Sequence, residues 1–389
     1  MILVEKHIIR SGKYFNQLIE ITRLSKNLYN SGLYAVRQYY FEHKKFLNYV
    51  NLNNMFVEQK QQDYYKLPAK VSQQTLKMVE QNFKSFFGSL KSEKTKKVKI
   101  PKYLNKNSSF LTIWTNQAVS LKKKGYLKLS GTDVYIKTNL DHINQVRVVP
   151  RNNQLLVEIL YEVQEKELKK DNGKYSSVDL GINNLMTLSG NTIKPIIING
   201  KPLKSINQYY NKKKSQIQSK LETINKTKKS KKLNKLTNKR NNKINDYLHK
   251  SSKIIINHLV SKDICTLIVG YNHYWKQEIN IGKKNNQNFV SIPYLKLLNM
   301  LEYKCKREGI NFVKNEESYT SKCSFIDGEE IKKHTKYLGK RIKRGLFESA
   351  SGKLINADLN GSLNILKKVV GEFQYPIEVC STPKVINLA

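Results

Sequence analysis

Ser176-Ser-Val-Asp179-Leu-Gly-Ile182 is the stretch that decides how the C-terminal half of this chain folds. Its apolar residues predict a buried β-strand, and Asp179 lies inside that strand. A carboxylate among apolar side chains destabilises a fold unless it takes up a proton or is compensated. A bound divalent cation provides that compensation. The strand therefore predicts an acid that holds a metal ion.

Two further acids lie at the ends of predicted elements. Glu317 follows a predicted strand over 310–314, and Asp358 stands at the start of a predicted helix over 358–370. Taken alone, Glu317 is also explained as a surface acid, and Asp358 is better explained as a helix N-cap. The spacing does not show that the three acids converge. If they do, their oxygens suit Mg²⁺, and two ions about 4 Å apart would promote phosphodiester cleavage.

The chain is strongly basic. Its 389 residues include 70 Lys and Arg against 30 Asp and Glu, which leaves a net charge of +40. Such an excess repels itself unless a polyanion neutralises it, so a nucleic acid is the predicted partner. An AT-rich genome would explain the many lysines but not the few acids. An anionic membrane surface is the weaker alternative.

Targeting and cysteine patterns narrow the class of protein. The N-terminus lacks the arrangement of a signal peptide, and no apolar run approaches the roughly 18 residues that cross a membrane. We therefore expect a soluble intracellular protein with no membrane partner. The four cysteines include no C-x-x-C pair, so neither a disulfide framework nor a zinc site is expected.

The N-terminal half combines strands with a helical block. Residues 1–10 predict a strand, and residues 11–95 carry apolar side chains at helical spacing. From 96 to 170, apolar residues alternate between turn signals, which predicts a small antiparallel sheet or barrel. If the first strand belongs to it, the helical block is an insertion. Aromatic and basic residues interleave in that block, where Tyr29 and Arg37 either stack on bases or, equally, belong to the core.

Residues 171–370 predict an α/β domain, and 371–389 a tail. The domain is expected to begin with a hairpin of strands over 175–188 and 193–198, which turns at Gly190-Asn191. Three further elements are predicted in this domain: a strand over 266–269, a helix over 294–307 and a basic loop over 327–352.

A basic helical hairpin is predicted over 204–260. This segment contains sixteen Lys or Arg against two acids, and it has no Gly or Pro. A charge run is usually a solvated face or a disordered segment. Here apolar residues recur through the run, which favours helices that lie along a phosphate backbone.

The chain resembles the TnpB (OrfB) family encoded by insertion sequences, relatives of type V CRISPR effectors. The resemblance covers nearly the whole chain, and the order and spacing of its motifs carry it. Those motifs are Ser25-Lys-Asn-Leu-Tyr-Asn30, Pro68-Ala-Lys-Val-Ser-Gln-Gln-Thr75, Val178-Asp-Leu-Gly-Ile-Asn-Asn-Leu-Met-Thr187, Asn315-Glu-Glu-Ser-Tyr-Thr-Ser-Lys322, Gly339-Lys-Arg-Ile-Lys-Arg-Gly345 and Ile355-Asn-Ala-Asp-Leu-Asn-Gly-Ser-Leu-Asn-Ile365.

The resemblance implies a RuvC-like (RNase H-like) nuclease domain over 171–370. It also implies an N-terminal β-barrel wedge domain over 1–10 and 96–170, with an inserted helical recognition lobe over 11–95. The implied partners are a guide RNA from the transposon end and a double-stranded target DNA, in the nucleoid-associated cytoplasm of a prokaryote. In such systems base pairing reads the sequence, while the protein reads backbone shape and a short flanking motif.

The sequence departs from the family pattern at the second acid. Many members carry it directly after the strand that corresponds to Thr266–Gly270, where this chain has Gly270 or Tyr271. A subset places a glutamate before Tyr-Thr-Ser-Lys, and Glu317 matches that place. Glu316 is the neighbouring candidate and Glu278 a weaker third.

The second departure concerns zinc. The family usually has a four-cysteine zinc ribbon between its second and third motifs, but here only Cys323 lies there. The segment over 323–352 is therefore expected to be a degenerate, metal-free loop at the zinc-ribbon position.

Three functional hypotheses remain. The main one is an RNA-guided DNA endonuclease with Asp179, Glu317 and Asp358 as catalytic Mg²⁺ ligands. A nuclease-dead RNA-guided DNA-binding repressor is the alternative, and a transposase that catalyses strand transfer itself is disfavoured. The residues predicted to contact nucleic acid are Asn27, Tyr29, Asn30, Arg37, Gln38, Lys212, Lys213, Lys214, Lys239, Arg240, Lys276, Lys322, Lys340, Arg341 and Arg344.

Overall fold

The computed structural model describes residues 1–91, 98–123, 125–225, 227, 230–272, 282–375 and 383–388. The chain folds as two units, Met1–Val163 and Gln164–Ala389. None of the helices in these described ranges has an apolar stretch long enough to cross a bilayer.

The first unit contains seven described strands in two sheets. In chain order they are β1 (Ile2–Ile9), β2 (Thr112–Thr115), β3 (Val119–Lys123), β4 (Tyr126–Leu129), β5 (Tyr135–Lys137), β6 (Gln145–Arg151) and β7 (Gln154–Glu162). One sheet has the order β1-β7-β6-β2 and the other the order β3-β4-β5. The N-terminal strand pairs antiparallel with β7, so the helices between β1 and β2 interrupt one sheet in sequence, as predicted.

The predicted single barrel is resolved into these two sheets. A 3₁₀ turn over Asn116–Ala118 separates β2, in the first sheet, from β3, in the second. The fully buried Trp114 joins them, because its indole nitrogen donates to the Ser130 carbonyl at 3.1 Å.

Four helices follow β1: α1 (Lys13–His43), α2 (Tyr49–Glu58), α3 (Gln62–Tyr65) and α4 (Ala69–Lys91). The apolar stripes of the two long helices face each other, and Leu28, Leu76 and Phe83 are fully buried. Gly32 sets the approach of α1 to α4, since a Cβ there would lie 2.9 Å from Leu76 Cδ2.

The second unit is mixed α/β. Its elements in chain order are β8 (Tyr175–Leu180), β9 (Asn184–Gly190), β10 (Ile193–Asn199), α5 (Lys201–Asn225), α6 (Lys231–Ser261), β11 (Thr266–Gly270), α7 (Lys283–Val290), α8 (Tyr294–Arg307), β12 (Asn311–Asn315), β13 (Lys340–Lys343), β14 (Leu346–Glu348), β15 (Leu354–Asn356), α9 (Ala357–Val370) and β16 (Lys384–Ile386).

A six-stranded mixed sheet organises this unit, in the order β12-β11-β8-β9-β10-β16. Strands β8, β9 and β10 run antiparallel in succession. Strand β11 is parallel to both β8 and β12. The carboxyl ends of β8, β11 and β12 therefore lie at one edge of the sheet.

The predicted strand over 175–188 is two strands. Gly181 begins the turn between β8 and β9, and a Cβ there would lie 2.5 Å from the Asn184 carbonyl oxygen. This turn, Gly181-Ile-Asn-Asn184, is short and lies between two apolar segments, which the prediction joined into one strand. The predicted turn at Gly190-Asn191 does join β9 to β10. Asp179 consequently stands near the carboxyl end of β8.

The basic segment over 204–260 forms the long helices α5 and α6, as predicted. Ser230 caps α6, since its Oγ accepts from the Leu233 backbone N–H at 3.1 Å. The predicted loop over 327–352 is instead partly a sheet, because β13, β14 and β15 pair antiparallel. The side chains of Phe347 in β14 and Ile355 in β15 are buried.

Helix α9 packs on β8 and β9. Three buried serine hydroxyls meet at this contact: Ser177, Ser189 and Ser362, with Oγ–Oγ distances of 3.0, 3.1 and 2.8 Å. Small side chains allow the helix to approach the sheet closely, and this approach fixes where the first turn of α9 lies.

Candidate active site

Three elements of the second unit bring the predicted acids to one edge of the sheet. Asp179 lies near the end of β8, and Glu317 follows the end of β12 by two residues. Asp358 lies in the first turn of α9. Ligands in open α/β sheets usually bind beyond the carboxyl ends of strands, so this edge is the candidate active site.

Asp358 is not the N-cap of α9. That position belongs to Asn356, whose Oδ1 accepts from the backbone N–H groups of Asp358 at 3.0 Å and Leu359 at 3.2 Å. The carboxylate of Asp358 instead points to the site. Its Oδ2 accepts from Asn184 Nδ2 at 2.7 Å, and its Oδ1 lies 3.8 Å from the Arg341 guanidinium.

Glu317 turns back over the end of β11. A Cβ at Gly270 would lie 2.8 Å from Glu317 Oε2, so this carboxylate occupies the space that a side chain at position 270 would need. Asn272 holds it in place: the Asn272 amide oxygen accepts from the Glu317 backbone N–H at 3.1 Å, and its Nδ2 donates to Oε1 at 3.4 Å.

The second carboxylate oxygen of Glu317, Oε2, is buried, and no described residue donates a hydrogen bond to it. Burial raises the pKa of Glu317 from 4.5 to about 7. A buried acceptor without a donor is costly, and a cation bound at this oxygen would remove the cost.

Asp179 completes the cluster. Burial raises its pKa well above the usual range, and the charges of Glu317 and Asp358 raise it further, while Arg341 lowers it. Gly361 lets α9 come close, since a Cβ there would lie 3.4 Å from Asp179 Oδ2. The mutual repulsion of carboxylates in a poorly solvated place is typical of a site for divalent cations, and a set of hard oxygen donors suits Mg²⁺.

Three residues that sequence reasoning missed support this cluster. Asn184 and Asn272 bind two of the acids, and Tyr294 donates its hydroxyl to the Gly181 carbonyl at 2.8 Å. Burial and the charges of Asp179 and Glu317 raise the pKa of Tyr294. The sequence offered one weak signal for the two asparagines: Asn184 lies three residues after Gly181, and Asn272 lies two residues after Gly270.

The alternative acids lie elsewhere. Glu316 is exposed, with an Oε2 that lies 3.8 Å from Lys368 Nζ, and it also binds the Ser318 hydroxyl. Glu278 and the predicted contact residue Lys276 fall outside the described residues. Of the described candidates, Glu317 is therefore the one at the sheet edge.

A second group of potential metal ligands lies in the segment after Glu317. Single donor atoms of Cys323, Glu329 and His334 lie within 4.8 Å of one another. Glu329 is buried and already accepts two backbone hydrogen bonds. Burial raises the pKa of the Cys323 thiol, so this thiol would have to lose a proton to bind a metal.

Two buried asparagines of α9 fasten this segment. Asn360 Nδ2 and Asn364 Nδ2 both donate to the Cys323 carbonyl, at 2.9 and 2.8 Å. Asn364 also donates to the Thr320 carbonyl at 2.9 Å. The same helix thus carries Asp358 and holds the loop that follows Glu317.

The predicted nucleic-acid contacts of the first unit are not equally accessible. Tyr29 is 3% exposed and accepts from Asn82 Nδ2 at 2.7 Å, so it belongs to the core. Asn30 is bound to the Leu104 backbone in both directions. Arg37 stacks on the Tyr103 ring at 5.0 Å. Asn27 is half-buried and Gln38 is exposed.

The predicted basic contacts of the second unit mostly lie on the surface. Arg341 stands apart, because it alone among these is placed beside the acids. Lys214 and Arg240 are half-buried. The exposed ones are Lys212, Lys213, Lys239, Lys322, Lys340 and Arg344.

Two family models match the sequence. Residues 158–276 match OrfB_IS605, described as a probable transposase, and residues 294–365 match the Cas12f1-like TNB domain. The chain is therefore similar to the TnpB (OrfB_IS605) family and to Cas12f1-like proteins. Asp179 lies within the first matched region, and Glu317 and Asp358 lie within the second.

Two TnpB-like proteins are similar in sequence. ORF457 of Acidianus two-tailed virus is 26% identical over 52% of this chain and 43% of its own length. MJ0751 of Methanocaldococcus jannaschii is 27% identical over 48% of this chain and 65% of its own length. The match thus spans less than two thirds of either relative.

The fold is Cas12f-like, mixed α/β with several sheets. Cas12f1 in a cryo-EM structure of the Cas12f1–sgRNA–target DNA complex matches with a TM-score of 0.58 at 15% identity, over 91% of this chain and 83% of that chain. At this identity the likeness concerns the fold.

These matches correct the expectation about zinc. The prediction of a variant without a zinc ribbon, with a metal-free loop over 323–352, is wrong in two respects. The Cas12f1-like TNB domain match covers this segment, and Cys323, Glu329 and His334 gather donor atoms there. A pattern of paired cysteines does not reveal this group of potential metal ligands, because only one of its three donors is a thiol.

Proposed function

We propose that this protein is a transposon-associated, RNA-guided DNA endonuclease that cuts target DNA beside a short flanking motif by Mg²⁺-dependent hydrolysis. The similarity to TnpB-like proteins supports the class. The likeness of fold to Cas12f1, which was solved with sgRNA and target DNA, supports the guide RNA and the DNA as partners.

One observation carries the nuclease proposal. The buried Oε2 of Glu317 has no donor among the described residues and lies at the sheet edge where the charges of Glu317 and Asp358 raise the pKa of Asp179. A fold that needed these acids only for stability would pair them with donors. Two carboxylates with raised pKa values, those of Asp179 and Glu317, beside the carboxylate of Asp358 fit a cation-binding site.

The order of the strands supports a RuvC-like reading of the same sheet. Three antiparallel strands are followed, after helices, by two parallel strands, and the first acid lies on the central β8. We assign Asp179, Glu317 and Asp358 as the ligands of Mg²⁺. The three acids would bind one or two ions. Mg²⁺ bound there would activate water and stabilise the charge of the leaving oxygen.

The other residues of the site have supporting roles. Asn184 and Asn272 orient Asp358 and Glu317 through the hydrogen bonds described above, which keeps the carboxylates in one rotamer. Arg341 lies 3.8 Å from Asp358, exposed on β13. This exposed guanidinium would form a charge-assisted hydrogen bond with a phosphate of the substrate.

Purified full-length protein with its co-purifying RNA tests the proposal. That RNA is sequenced, and the complex is incubated with double-stranded DNA that matches it, within a library of flanking sequences. We expect cleavage that requires Mg²⁺, stops with EDTA and is lost in Glu317→Gln. Glu316→Gln is the matched control and should cleave normally. Guided binding without cleavage would replace the nuclease by an RNA-guided repressor, and strand transfer without RNA would indicate a transposase.

A further inference from the structure

A cavity of about 390 Å³ lies between α5 and α6, away from the acids. Its walls include two tyrosines of α5, Tyr209 and Tyr210, and three cations of α6, Lys239, Arg240 and Lys243. No acid is among the described residues that line it. Aromatic rings beside cations, without carboxylates, favour a ligand that is both planar and anionic.

Arg240 is held in a fixed orientation at this cavity. Its Nε donates to Asn207 Oδ1 at 2.8 Å, its Nη2 to the Ser291 carbonyl at 2.8 Å and its Nη1 to Asn241 Oδ1 at 3.0 Å. A guanidinium has five N–H donors, so these bonds leave two for a ligand. Because the side chain is already ordered, binding would cost little rotamer entropy.

The two tyrosines differ in how far they are committed. Tyr210 lies under the Arg240 guanidinium at 5.6 Å, and its hydroxyl pairs with Thr237 Oγ1 at 3.1 Å. Tyr209 is 59% exposed. An exposed aromatic ring at the mouth of a cationic cavity is the surface on which an unpaired base stacks.

The lysines of α6 add a second argument. Lys235, Lys239 and Lys243 are spaced four residues apart and so lie on one face of the helix. Like charges at this spacing repel each other and destabilise the helix. A bound phosphate would remove that repulsion.

We propose that the cavity between α5 and α6 binds one unpaired nucleotide of the nucleic acid on this protein, with its base on Tyr209 and its phosphate at Lys239 and Lys243. Arg240 fixes the nucleotide through its two remaining donors. The proposal rests on the nucleic-acid binding of the proposed function and is independent of cleavage.

Binding in EDTA tests the base contact without cleavage. The full-length chain is titrated with a fluorescent single-stranded oligouridylate or oligothymidylate and with an abasic strand of the same length. Tyr209→Ala should weaken binding of the base-bearing strands by about tenfold, whereas Tyr209→Phe should stay within about twofold. Neither change should affect the abasic strand. Tyr65→Ala, at 58% exposure in the wild type, is the matched control.

Two further measurements test the phosphate contact and identify the strand that supplies the nucleotide. Lys239→Ala should weaken the base-bearing and abasic strands equally, because it removes a phosphate contact. Photo-crosslinking with 5-iodouracil, placed first in the RNA and then in the DNA of the complete complex, should label the α5 peptide that contains Tyr209. The labelled strand identifies whether RNA or DNA supplies the nucleotide.

The proposal is overturned if Tyr209→Ala and Tyr209→Phe behave alike, if the abasic strand loses as much affinity, or if neither strand labels α5. These outcomes are distinct from a failure of the nuclease. Loss of the Tyr209 effect with guided cleavage intact removes only the nucleotide site. An intact Tyr209 effect in a complex that never cleaves removes only the nuclease.

Discussion

Two buried glutamates near the same helix have opposite surroundings. Glu329, 5% exposed, accepts a backbone N–H from Ser324 at Oε2, 2.7 Å, and one from Leu338 at Oε1, 3.0 Å. Glu317 has a weak contact at Oε1, 3.4 Å from Asn272, and no described donor at Oε2. Among the described residues, donors reach both carboxylate oxygens of Glu329 but only one of Glu317.

The two glutamates differ in how far the described residues compensate their carboxylates. Hydrogen bonds to a carboxylate stabilise its charged form, whereas burial without donors destabilises it. Glu329 therefore ties its loop together whether or not a metal is present. Glu317 has a raised pKa and only one weak contact to its carboxylate among the described residues, and burial and the neighbouring carboxylates also raise the pKa of Asp179.

The largest expected effect concerns the acid cluster. Asp179→Asn keeps the shape of the side chain but removes its charge, so cleavage of a guided target should fall by about a thousandfold or more, since loss of even a neutral transition-state donor costs about 10²–10³. RNA and DNA binding should stay within about twofold. Gel-based cleavage and filter binding measure the two. Loss of RNA binding would mean that Asp179 serves folding, as Glu329 does.

The next effect is the pH dependence of metal-free stability. The pKa of Glu317 is about 7 in the folded chain against 4.5 as its ordinary value. Its contribution to stability is therefore present below about pH 4.5 and is lost as the pH rises through about 7. At pH 8 in EDTA, Glu317→Gln should be more stable than the wild type by up to about 3 kcal/mol.

Urea denaturation at pH 5 and pH 8 measures this difference. Mg²⁺ should reverse it, because the cation binds the charged form: the Mg²⁺-induced rise in Tm of the wild type should be larger at pH 8 than at pH 6 and nearly absent in Glu317→Gln. An equal Mg²⁺ effect in both proteins would contradict the assignment of Glu317 as a ligand.

A smaller effect with the opposite sign is expected at the satisfied glutamate. Glu329→Gln leaves one of its two backbone N–H groups facing an amide donor, which should destabilise the second unit by about 2 kcal/mol. Tm should fall by roughly 4–8 °C, as measured by calorimetry. Glu330→Gln, at a neighbouring exposed position, should change Tm very little. If both variants are neutral, the contrast between the two glutamates is wrong.

The smallest effect concerns zinc. We expect metal analysis to find zinc in the purified wild type and to find it strongly reduced in Cys323→Ser and His334→Ala, because each removes one of three donors. Cleavage should change less than about threefold, since the acids are untouched. Cys305→Ala, a buried thiol outside the group, should keep its zinc. Zinc that persists in both ligand variants would place the metal elsewhere.

The sequence predicted those parts of the second unit that have strong local patterns. Strand β11, helices α8 and α9, and the basic hairpin of α5 and α6 follow from the apolar residues that recur along them, many of which are buried in the folded chain. The boundary between β8 and β9 did not, since the turn over Gly181-Ile-Asn-Asn184 is short and lies between two apolar segments. Strands β13 to β15 were missed because each is only three or four residues long, which is too short for an alternating pattern to be recognised.

The candidate site was predictable only in part, for a related reason. An acid inside an apolar strand stands out in a basic chain, so Asp179 could be chosen from the residues alone, whereas Glu317 and Asp358 were selected through the resemblance to the TnpB (OrfB) family. Their neighbours Asn184 and Asn272 could not, because they meet the acids through tertiary contacts. Asn356 as the cap of α9, and Glu329 as a partner of Ser324 and Leu338, likewise appear only when the chain is folded.

The docking of α9 on β8 and β9 has a consequence for the timing of synthesis. The serine contact that seats this helix joins Ser362 to Ser177 and Ser189, which lie far earlier in the chain. Translation delivers the three acids in the order 179, 317 and 358, and domains fold as units while they emerge. The acid cluster is therefore complete only after α9, the last of its three elements, has emerged from the ribosome and docked on the sheet.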